Sequence, residues 1–185
     1  MSIFILIWAI WFISEIAINR VFRSPGHDHN DQDKGSLQLI WVIVYVAIAI
    51  GIFCAVSIDT PLSHGLVLPG VGLLLILLGM GLRFFSIYAL GGFFTVEVAI
   101  QTHHTIKTDG IYRRIRHPSY AGSLLSFTGF GISLNNWVSV LVIVCLVFLA
   151  MRYRMAIEER VLLEQFGREY ADYMERTARL IPGIY

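Results

Sequence analysis

The stretch from residue 37 to residue 58 constrains the fold more than any other part of the chain. It reads LQLIWVIVYVAIAIGIFCAVSI and contains no charged side chain in 22 positions. As an α-helix it would be about 33 Å long, which is enough to cross the hydrocarbon core of a bilayer. Only 15% of the whole chain is charged, whereas soluble domains carry about 25% charged residues. We therefore predict an integral membrane protein.

Four further apolar segments accompany this one. They cover approximately residues 3–22, 65–90, 119–134 and 137–157. The uncharged LNNW between the last two predicts a tight turn, so these segments form a helical hairpin, and the short 119–134 segment is expected to be tilted or partly submerged. In the 65–90 segment the glycines would permit close helix packing; they are Gly70, Gly72, Gly79 and Gly81.

The resulting prediction is a single all-α membrane domain over residues 1–185, with about five transmembrane helices. Residues 1–90 hold three spans, and residues 91–185 hold a loop, the hairpin and a C-terminal helix. The opening segment lacks a basic start and a small-residue cleavage site, so we interpret it as a retained span despite Glu15 inside it.

The distribution of basic residues predicts the orientation. If the N-terminus lies outside, the 23–36 loop, the 91–117 loop and the tail after 151 all face the cytoplasm. All 14 Lys and Arg residues then fall on that side, as the positive-inside rule requires. Membrane lipids are therefore expected surroundings. The net charge of +1 gives no indication of a nucleic-acid partner, and no pattern indicates an oligomeric state.

The tail IEERVLLEQFGREYADYMERTARLIPG is typical of an amphipathic helix. Val161, Leu162, Phe166 and Tyr170 recur at helical spacing, and Pro182 is expected to end the helix. Two placements are open. The helix could lie on the cytoplasmic membrane surface, or it could fold back over the 91–117 loop.

A cluster of positive charge stands directly before the fourth apolar segment, in YRRIRHPSYAGSLLSF at 112–127. One interpretation is a membrane anchor, with Pro118 in the first turn of a helix. The other is an anion site, because a helix N-terminus offers free N–H groups and His117 could donate a hydrogen bond. Arg116 could join the anchor or pair with an acidic residue of the tail.

Arg154 and Glu158 form the second candidate feature. They are four residues apart and therefore share a helix face, at the inner end of the last span, where ionisable groups are usually functional. An arginine can hold a carboxylate with two hydrogen bonds, and a glutamate can bind an amine or a ribose hydroxyl. No metal site is predicted, because His103 and His104 are adjacent and have no carboxylate or cysteine suitably placed.

Taken together, two motifs resemble those of a known family. GIYRRIRHPSYAG, a hairpin and then R-x-x-x-E-E-x-x-L-x-x-x-F-G-x-x-Y-x-x-Y are similar to the isoprenylcysteine carboxyl methyltransferases, which belong with the phospholipid methyltransferases. The resemblance covers approximately residues 90–183. It implies a small integral membrane enzyme that uses S-adenosylmethionine.

The resemblance also implies a cofactor pocket. By position, that pocket would contain Gln101, His104, Thr105, Ile106, Lys107, Tyr112, His117, Pro118, Ser119, Tyr120 and Glu158. Arg154 would face the methyl acceptor, which makes Arg154 and Glu158 the catalytic candidates. Relatives tend to carry an aliphatic residue where Lys107 stands. In such a pocket the helix start at Pro118 would suit the cofactor carboxylate, and Tyr112 or Tyr120 could face its sulfonium.

The resemblance implies a lipidic acceptor that enters sideways from the bilayer and is methylated on an oxygen, as by an isoprenylcysteine carboxyl O-methyltransferase, with three acceptor classes left open. These are a prenylated cysteine carboxylate, a phospholipid amine and a phenolic lipid. A carboxylate held by Arg154 needs no general base, whereas a phenol does. Two other functions stay as alternatives: an NADPH-dependent membrane reductase, since such enzymes carry a similar R-H-P-x-Y turn, and a non-catalytic membrane scaffold.

Overall fold

The computed structural model describes residues 2–22, 35–94 and 105–185, and its regular elements are helical. The α-helices of this part of the chain are α1 (Ser2–Val21), α2 (Ser36–Ser57), α3 (Val67–Leu90), α4 (Pro118–Ser133), α5 (Trp137–Phe166) and α6 (Arg168–Arg176). Four of them, α1, α2, α3 and α5, are long and apolar enough to cross a membrane. The all-α membrane fold is therefore confirmed. Helix α4 has 16 residues, or about 24 Å, and is too short to cross alone.

Helix α5 is longer than the predicted 137–157 span. It continues without a break to Phe166, because residues 152–166 are mostly strong helix formers and contain no Gly or Pro. Gly167, with φ of +55°, ends it, since this backbone conformation suits glycine. The separate tail helix is only α6, nine residues long, and it ends at Arg176 rather than near Pro182.

Helices α3 and α4 approach so closely that only glycine fits at their contact. A Cβ added at Gly79 would lie 2.5 Å from the Gly122 carbonyl oxygen, and one at Gly72 would lie 2.6 Å from that of Gly129. Gly70 and Gly81 have nothing within 4 Å of such a Cβ. The predicted role in packing was wrong for these two glycines, because they lie on another face of α3.

The predicted tight turn between α4 and α5 is confirmed. Asn135 adopts φ of +54° and its side-chain amide donates to the Ser63 carbonyl at 2.8 Å. Asn136 caps α5 by accepting from the Ser139 N–H at 2.9 Å, and its amide also donates to the Ile58 carbonyl at 2.7 Å. Both asparagines thus tie the hairpin to the connector between α2 and α3.

The C-terminal segment folds back over the loop before α4. The Arg116 N–H donates to the Ala178 carbonyl at 2.9 Å, and the His117 N–H donates to the Arg179 carbonyl at 3.1 Å. Leu180 is buried in the bundle core. Of the two placements that the sequence left open, the second is correct, and the tail forms a wall of the bundle end where the predicted site residues lie.

Candidate active site

A cavity opens at one end of the bundle, where α1 and α3 end and where α2 and α4 begin. The second half of α5 and the tyrosines of α6 complete its walls. The predicted site residues that line it are Ile106, Lys107, Tyr112, His117, Pro118, Ser119, Tyr120, Arg154 and Glu158. Thr105 is exposed and is not part of the lining. Gln101 and His104 lie outside the residues that the structure describes.

Tyr112 is fixed from two sides before α4 begins. Its phenol donates to the Ser86 carbonyl on α3 at 3.1 Å, and its own carbonyl accepts from the Tyr173 phenol of α6 at 2.7 Å. Burial raises the pKa of Tyr112 well above its usual range and that of Tyr173 to about 12. Both phenols therefore remain protonated at neutral pH and act as donors.

Glu158 is the accessible member of the glutamate pair on α5. Its side chain is 31% exposed. Its Oε2 accepts from the Tyr120 phenol at 3.1 Å and lies 3.8 Å from the His117 Nδ1. The R-H-P-x-Y turn and the R-x-x-x-E stretch therefore meet through these three side chains, with the Glu158 carboxylate in the cavity wall.

Glu159 has a different environment, which the sequence reasoning missed. Its side chain is only 4% exposed. Its Oε1 accepts from the Nε atoms of Arg116 at 3.1 Å and Arg179 at 3.0 Å, and it lies 3.2 Å from the His117 Nε2. Its Oε2 is paired with the second nitrogen donor of Arg179. Adjacent helical residues point about 100° apart, which was the available signal that the two glutamates differ.

This arrangement answers what Arg116 does. It pairs with Glu159, an acidic residue of the segment after 151, and its guanidinium also donates to the Met174 carbonyl at 2.8 Å and to the Thr177 carbonyl. The His117 ring meanwhile faces the carboxylates of both glutamates. The imidazole is thus engaged by the chain itself, and its expected use as a donor to an anion stays a prediction.

Arg154 lies one helical turn before Glu158 and shares the cavity with it, as their spacing predicted. Its side chain is buried. The guanidinium donates to the hydroxyl of Ser36, at the start of α2. Arg154 therefore connects α5 to α2 at the wall where the apolar residues of α2 line the cavity.

A second buried ion pair lines the cavity from the N-terminal helices. Glu15 Oε2 on α1 lies 3.0 Å from the Arg83 Nε on α3. The Arg83 Nη1 donates to Ser119, at 3.2 Å to the hydroxyl and 3.3 Å to the carbonyl. Glu15 is conspicuous in the sequence as a charge inside an apolar span, but it was not predicted to belong to the site. The signal was one acidic and one basic residue inside apolar spans, which usually pair.

Comparison with known proteins agrees with the motifs. The family model for phospholipid methyltransferases matches residues 68–169. Protein-S-isoprenylcysteine O-methyltransferase B of Arabidopsis thaliana is 34% identical over 115 residues, which cover 61% of this chain and 58% of that protein. The Rattus norvegicus protein-S-isoprenylcysteine O-methyltransferase is 34% identical over 119 residues, which cover 63% and 42%. The chain spans about half the length of the curated relatives it matches.

A solved structure is also similar. It is described as the eukaryotic intramembrane Ras methyltransferase, an isoprenylcysteine carboxyl methyltransferase. The match has a TM-score of 0.60 and 28% identity, and it covers 85% of this chain and 54% of the other. The family match alone takes in more than half of this chain and contains both the R-H-P-x-Y turn and the two glutamates. The chain therefore belongs to the phospholipid methyltransferase family, with the isoprenylcysteine carboxyl methyltransferases that its sequence resembles.

Proposed function

We propose that the chain is a membrane methyltransferase that uses S-adenosylmethionine to methylate a lipidic acceptor. The observation that carries the proposal is the meeting of the two motifs in one cavity, with the Tyr120 phenol 3.1 Å from Glu158 Oε2. The relatives named above are protein-S-isoprenylcysteine O-methyltransferases, and their names support the same class of chemistry.

The chemistry of the cavity wall fits this cofactor. Glu158 suits its ammonium group or ribose hydroxyls, since a carboxylate accepts strong hydrogen bonds from both. The aromatic rings of Tyr112 and Tyr120 suit its sulfonium. The start of α4 at Ser119 suits its carboxylate, and Ile106 offers apolar surface for the adenine.

Lys107 departs from the aliphatic residue that relatives carry. Its ammonium pairs with the exposed Asp109 at 2.9 Å, while the residue still lines the cavity. The methylene stem of a lysine can cover apolar surface while its charge stays in water. Lys107 can therefore replace an aliphatic side chain without placing a cation against the sulfonium.

When bound, S-adenosylmethionine supplies an electrophilic methyl group, and the protein's own contribution is positioning. Glu159 holds His117 in place at the start of α4 through the ring Nε2. Tyr120 fixes the Glu158 carboxylate. The apolar side chains of α2 and α5 that line the cavity exclude water from the reacting groups.

The acceptor and the orientation are part of the same proposal. Arg154 is buried in the cavity wall and would face an acceptor that enters from the bilayer.

The cavity end of the bundle carries Arg20 in the last turn of α1 and the exposed Arg113. By the positive-inside rule that end would be cytoplasmic. Labelling by a membrane-impermeant maleimide tests this: Ser63→Cys should react from outside intact cells and Arg113→Cys should not, and the reverse would overturn the orientation.

The cofactor assignment is tested by isothermal titration of the detergent-purified protein with S-adenosylhomocysteine. We expect binding by the unchanged protein and a loss of about tenfold or more for Glu158→Ala, the usual effect of removing a charged hydrogen-bond partner. Arg113→Ala, at an exposed position, is the matched control and should bind normally. Absence of binding at high micromolar ligand would contradict the proposal, and binding of NADPH instead would favour the reductase.

A further inference from the structure

Glu15 is a residue that packing alone does not explain. It lies in the apolar helix α1, outside the residues 68–169 that match the family. Its side chain is 8% exposed. Ionisable groups within membrane helices are costly and usually mark substrate sites. Its position in the cavity lining gives it a surface at which such a role could operate.

The pairing of Glu15 is incomplete. Oε2 lies 3.0 Å from the Arg83 Nε, but neither that Nε nor the buried Oε1 has a hydrogen-bond partner in the part of the chain that the structure describes. A buried carboxylate oxygen without a donor is strongly unfavourable. An oxygen of a carboxylate that pairs with a guanidinium accepts hydrogen bonds and has none to donate, so the partner that would satisfy Oε1 is a donor.

The neighbourhood of Glu15 indicates where that donor comes from. Phe12, Glu15 and Asn19 are three and four residues apart, so they share one face of α1, and all three line the cavity. Trp41 of α2 and Phe127 of α4 line the same cavity. A polar pair in a cavity that aromatic side chains also line fits a ligand with an apolar chain and a small polar head group.

Arg83 links this wall to the predicted cofactor turn. Its guanidinium bridges from Glu15 to the hydroxyl and carbonyl of Ser119. Ser119 directly follows the His117–Pro118 pair at the start of α4. A head group bound at Glu15 would therefore be only two side chains away from the turn where the methyl donor is proposed to lie.

We propose that Glu15, held by Arg83, binds the head group of the acceptor, and that this head group carries an O–H or N–H donor rather than a carboxylate. The inference rests on the proposed function and names its substrate class. A phenol would donate to Oε1 through its O–H and an amine through an N–H of its ammonium form, whereas a carboxylate would meet a like charge there.

The same contact accounts for the proton of the reaction. As the acceptor oxygen or nitrogen bonds to the methyl carbon, the carbon–sulfur bond of the sulfonium donor breaks and its electron pair stays on sulfur as a thioether. The acceptor's O–H or N–H bond breaks, and the proton passes to Glu15 Oε1, with which it was hydrogen-bonded. The products are a methyl ether or a methylated amine, and Glu15 later releases the proton.

The test compares lipid binding in the absence of any methyl donor, by native mass spectrometry of the full chain in detergent. The probes are 5-pentadecylresorcinol, its dimethyl ether, hexadecylamine and N-acetyl farnesylcysteine. We expect the resorcinol or the amine to bind about tenfold more tightly than the dimethyl ether. Equal binding of the resorcinol, the amine and the ether, or tightest binding of the farnesylcysteine carboxylate, would overturn the proposal.

Variants of Glu15 test whether this residue causes the preference for a head group with a hydrogen-bond donor. Glu15→Gln keeps the size of the side chain and should reduce the preference for the donor head group to less than about threefold. If that single change unfolds the protein by leaving Arg83 unpaired, Glu15→Gln with Arg83→Gln removes both charges and should give the same loss. Retention of the full preference in a folded variant would show that Glu15 does not bind the head group.

This test is separate from that of the proposed function. The lipid-binding measurements use no methyl donor, so they test the role of Glu15 independently of whether S-adenosylhomocysteine binds. If S-adenosylhomocysteine binds and the head-group preference is absent, only the acceptor class is wrong. If methyl transfer is then assayed with the same probes, the resorcinol and the amine distinguish O-methylation from N-methylation.

Discussion

Two groups of buried charges lie at the same end of the bundle, and they differ in how completely they are satisfied. Around Glu159, both carboxylate oxygens have partners, supplied by Arg116, His117 and Arg179. In the pair of Glu15 and Arg83, one carboxylate oxygen has no partner among the residues described. Both groups contain a buried glutamate, but only one of them is complete without a ligand.

The difference indicates two roles for buried charge in one small protein. A saturated network fixes geometry, because every member would be costly to leave unpaired. The Glu159 network ties the tail to the turn before α4 and so shapes the cavity: Arg116 and His117 line it, whereas Glu159 and Arg179 hold them from behind. The unsaturated pair in the cavity wall still has one carboxylate oxygen, Glu15 Oε1, that can accept a hydrogen bond from a bound ligand.

The largest expected effect is on the saturated network. Glu159→Gln leaves two arginines without their carboxylate and should lower the free energy of unfolding by about 3 kcal/mol, as breaking a buried pair generally does. The apparent melting temperature in detergent measures this. Glu158→Gln is the matched control on the same helix, and at 31% exposure it should lose less than about 1 kcal/mol. Equal losses for both would mean that the two glutamates do not differ in role.

A change at the seam of α3 and α4 should disturb the unsaturated pair indirectly. A Cβ at Gly122 would lie 2.7 Å from the Arg83 backbone nitrogen, so Gly122→Ala should push α3 away and separate Arg83 from Ser119. We expect a loss of about 1–3 kcal/mol and weaker binding of the acceptor probes. Gly81→Ala, with nothing within 4 Å, serves as the control and should be close to neutral in melting temperature.

A smaller effect is expected at the edge of the saturated network. The Arg179 Nη1 donates to the Tyr185 phenol oxygen at 2.6 Å, and the Tyr185 ring also packs edge-on against Phe148. Tyr185→Phe keeps the ring and removes one hydrogen bond, so the loss should be about 1 kcal/mol. Chemical denaturation in detergent can measure it. A loss as large as that of Glu159→Gln would place the centre of the network at Tyr185 instead.

The smallest effect on stability is expected from removing the unsaturated pair as a unit. Glu15→Gln with Arg83→Gln should change the free energy of unfolding by less than about 1 kcal/mol, because a buried ion pair often contributes little net stability. The preference for a head group with a hydrogen-bond donor should nevertheless fall to less than about threefold. A severe loss of stability, comparable to that of Glu159→Gln, would assign the pair a structural role and remove the contrast.

The sequence was sufficient for whatever depends on local pattern. The uncharged run at 37–58 and the LNNW turn predicted helices and a hairpin because hydropathy and turn chemistry act over a few residues. The meeting of His117 and Tyr120 with Glu158 followed from the family resemblance. Even the fold-back of the tail was among the alternatives that the pattern allowed.

What the sequence could not provide depends on which helix faces which. The partner of Glu15 is 68 positions away at Arg83, and nothing local selects it. The same holds for Gly70 and Gly81, which look identical in sequence to Gly72 and Gly79 but face open space. The distinction between the two adjacent glutamates is also tertiary, since it depends on Arg179 returning from the far end of the chain.

An experimental structure with S-adenosylhomocysteine bound tests the central claim most directly. We expect the ligand in the cavity, in contact with Glu158 and the turn at His117–Tyr120, while Glu159 keeps Arg116 and Arg179 as its partners and Glu15 stays free of the ligand. A ligand that displaces these arginines and binds Glu159, or that lies away from the turn, would contradict the division into a structural network and a binding pair.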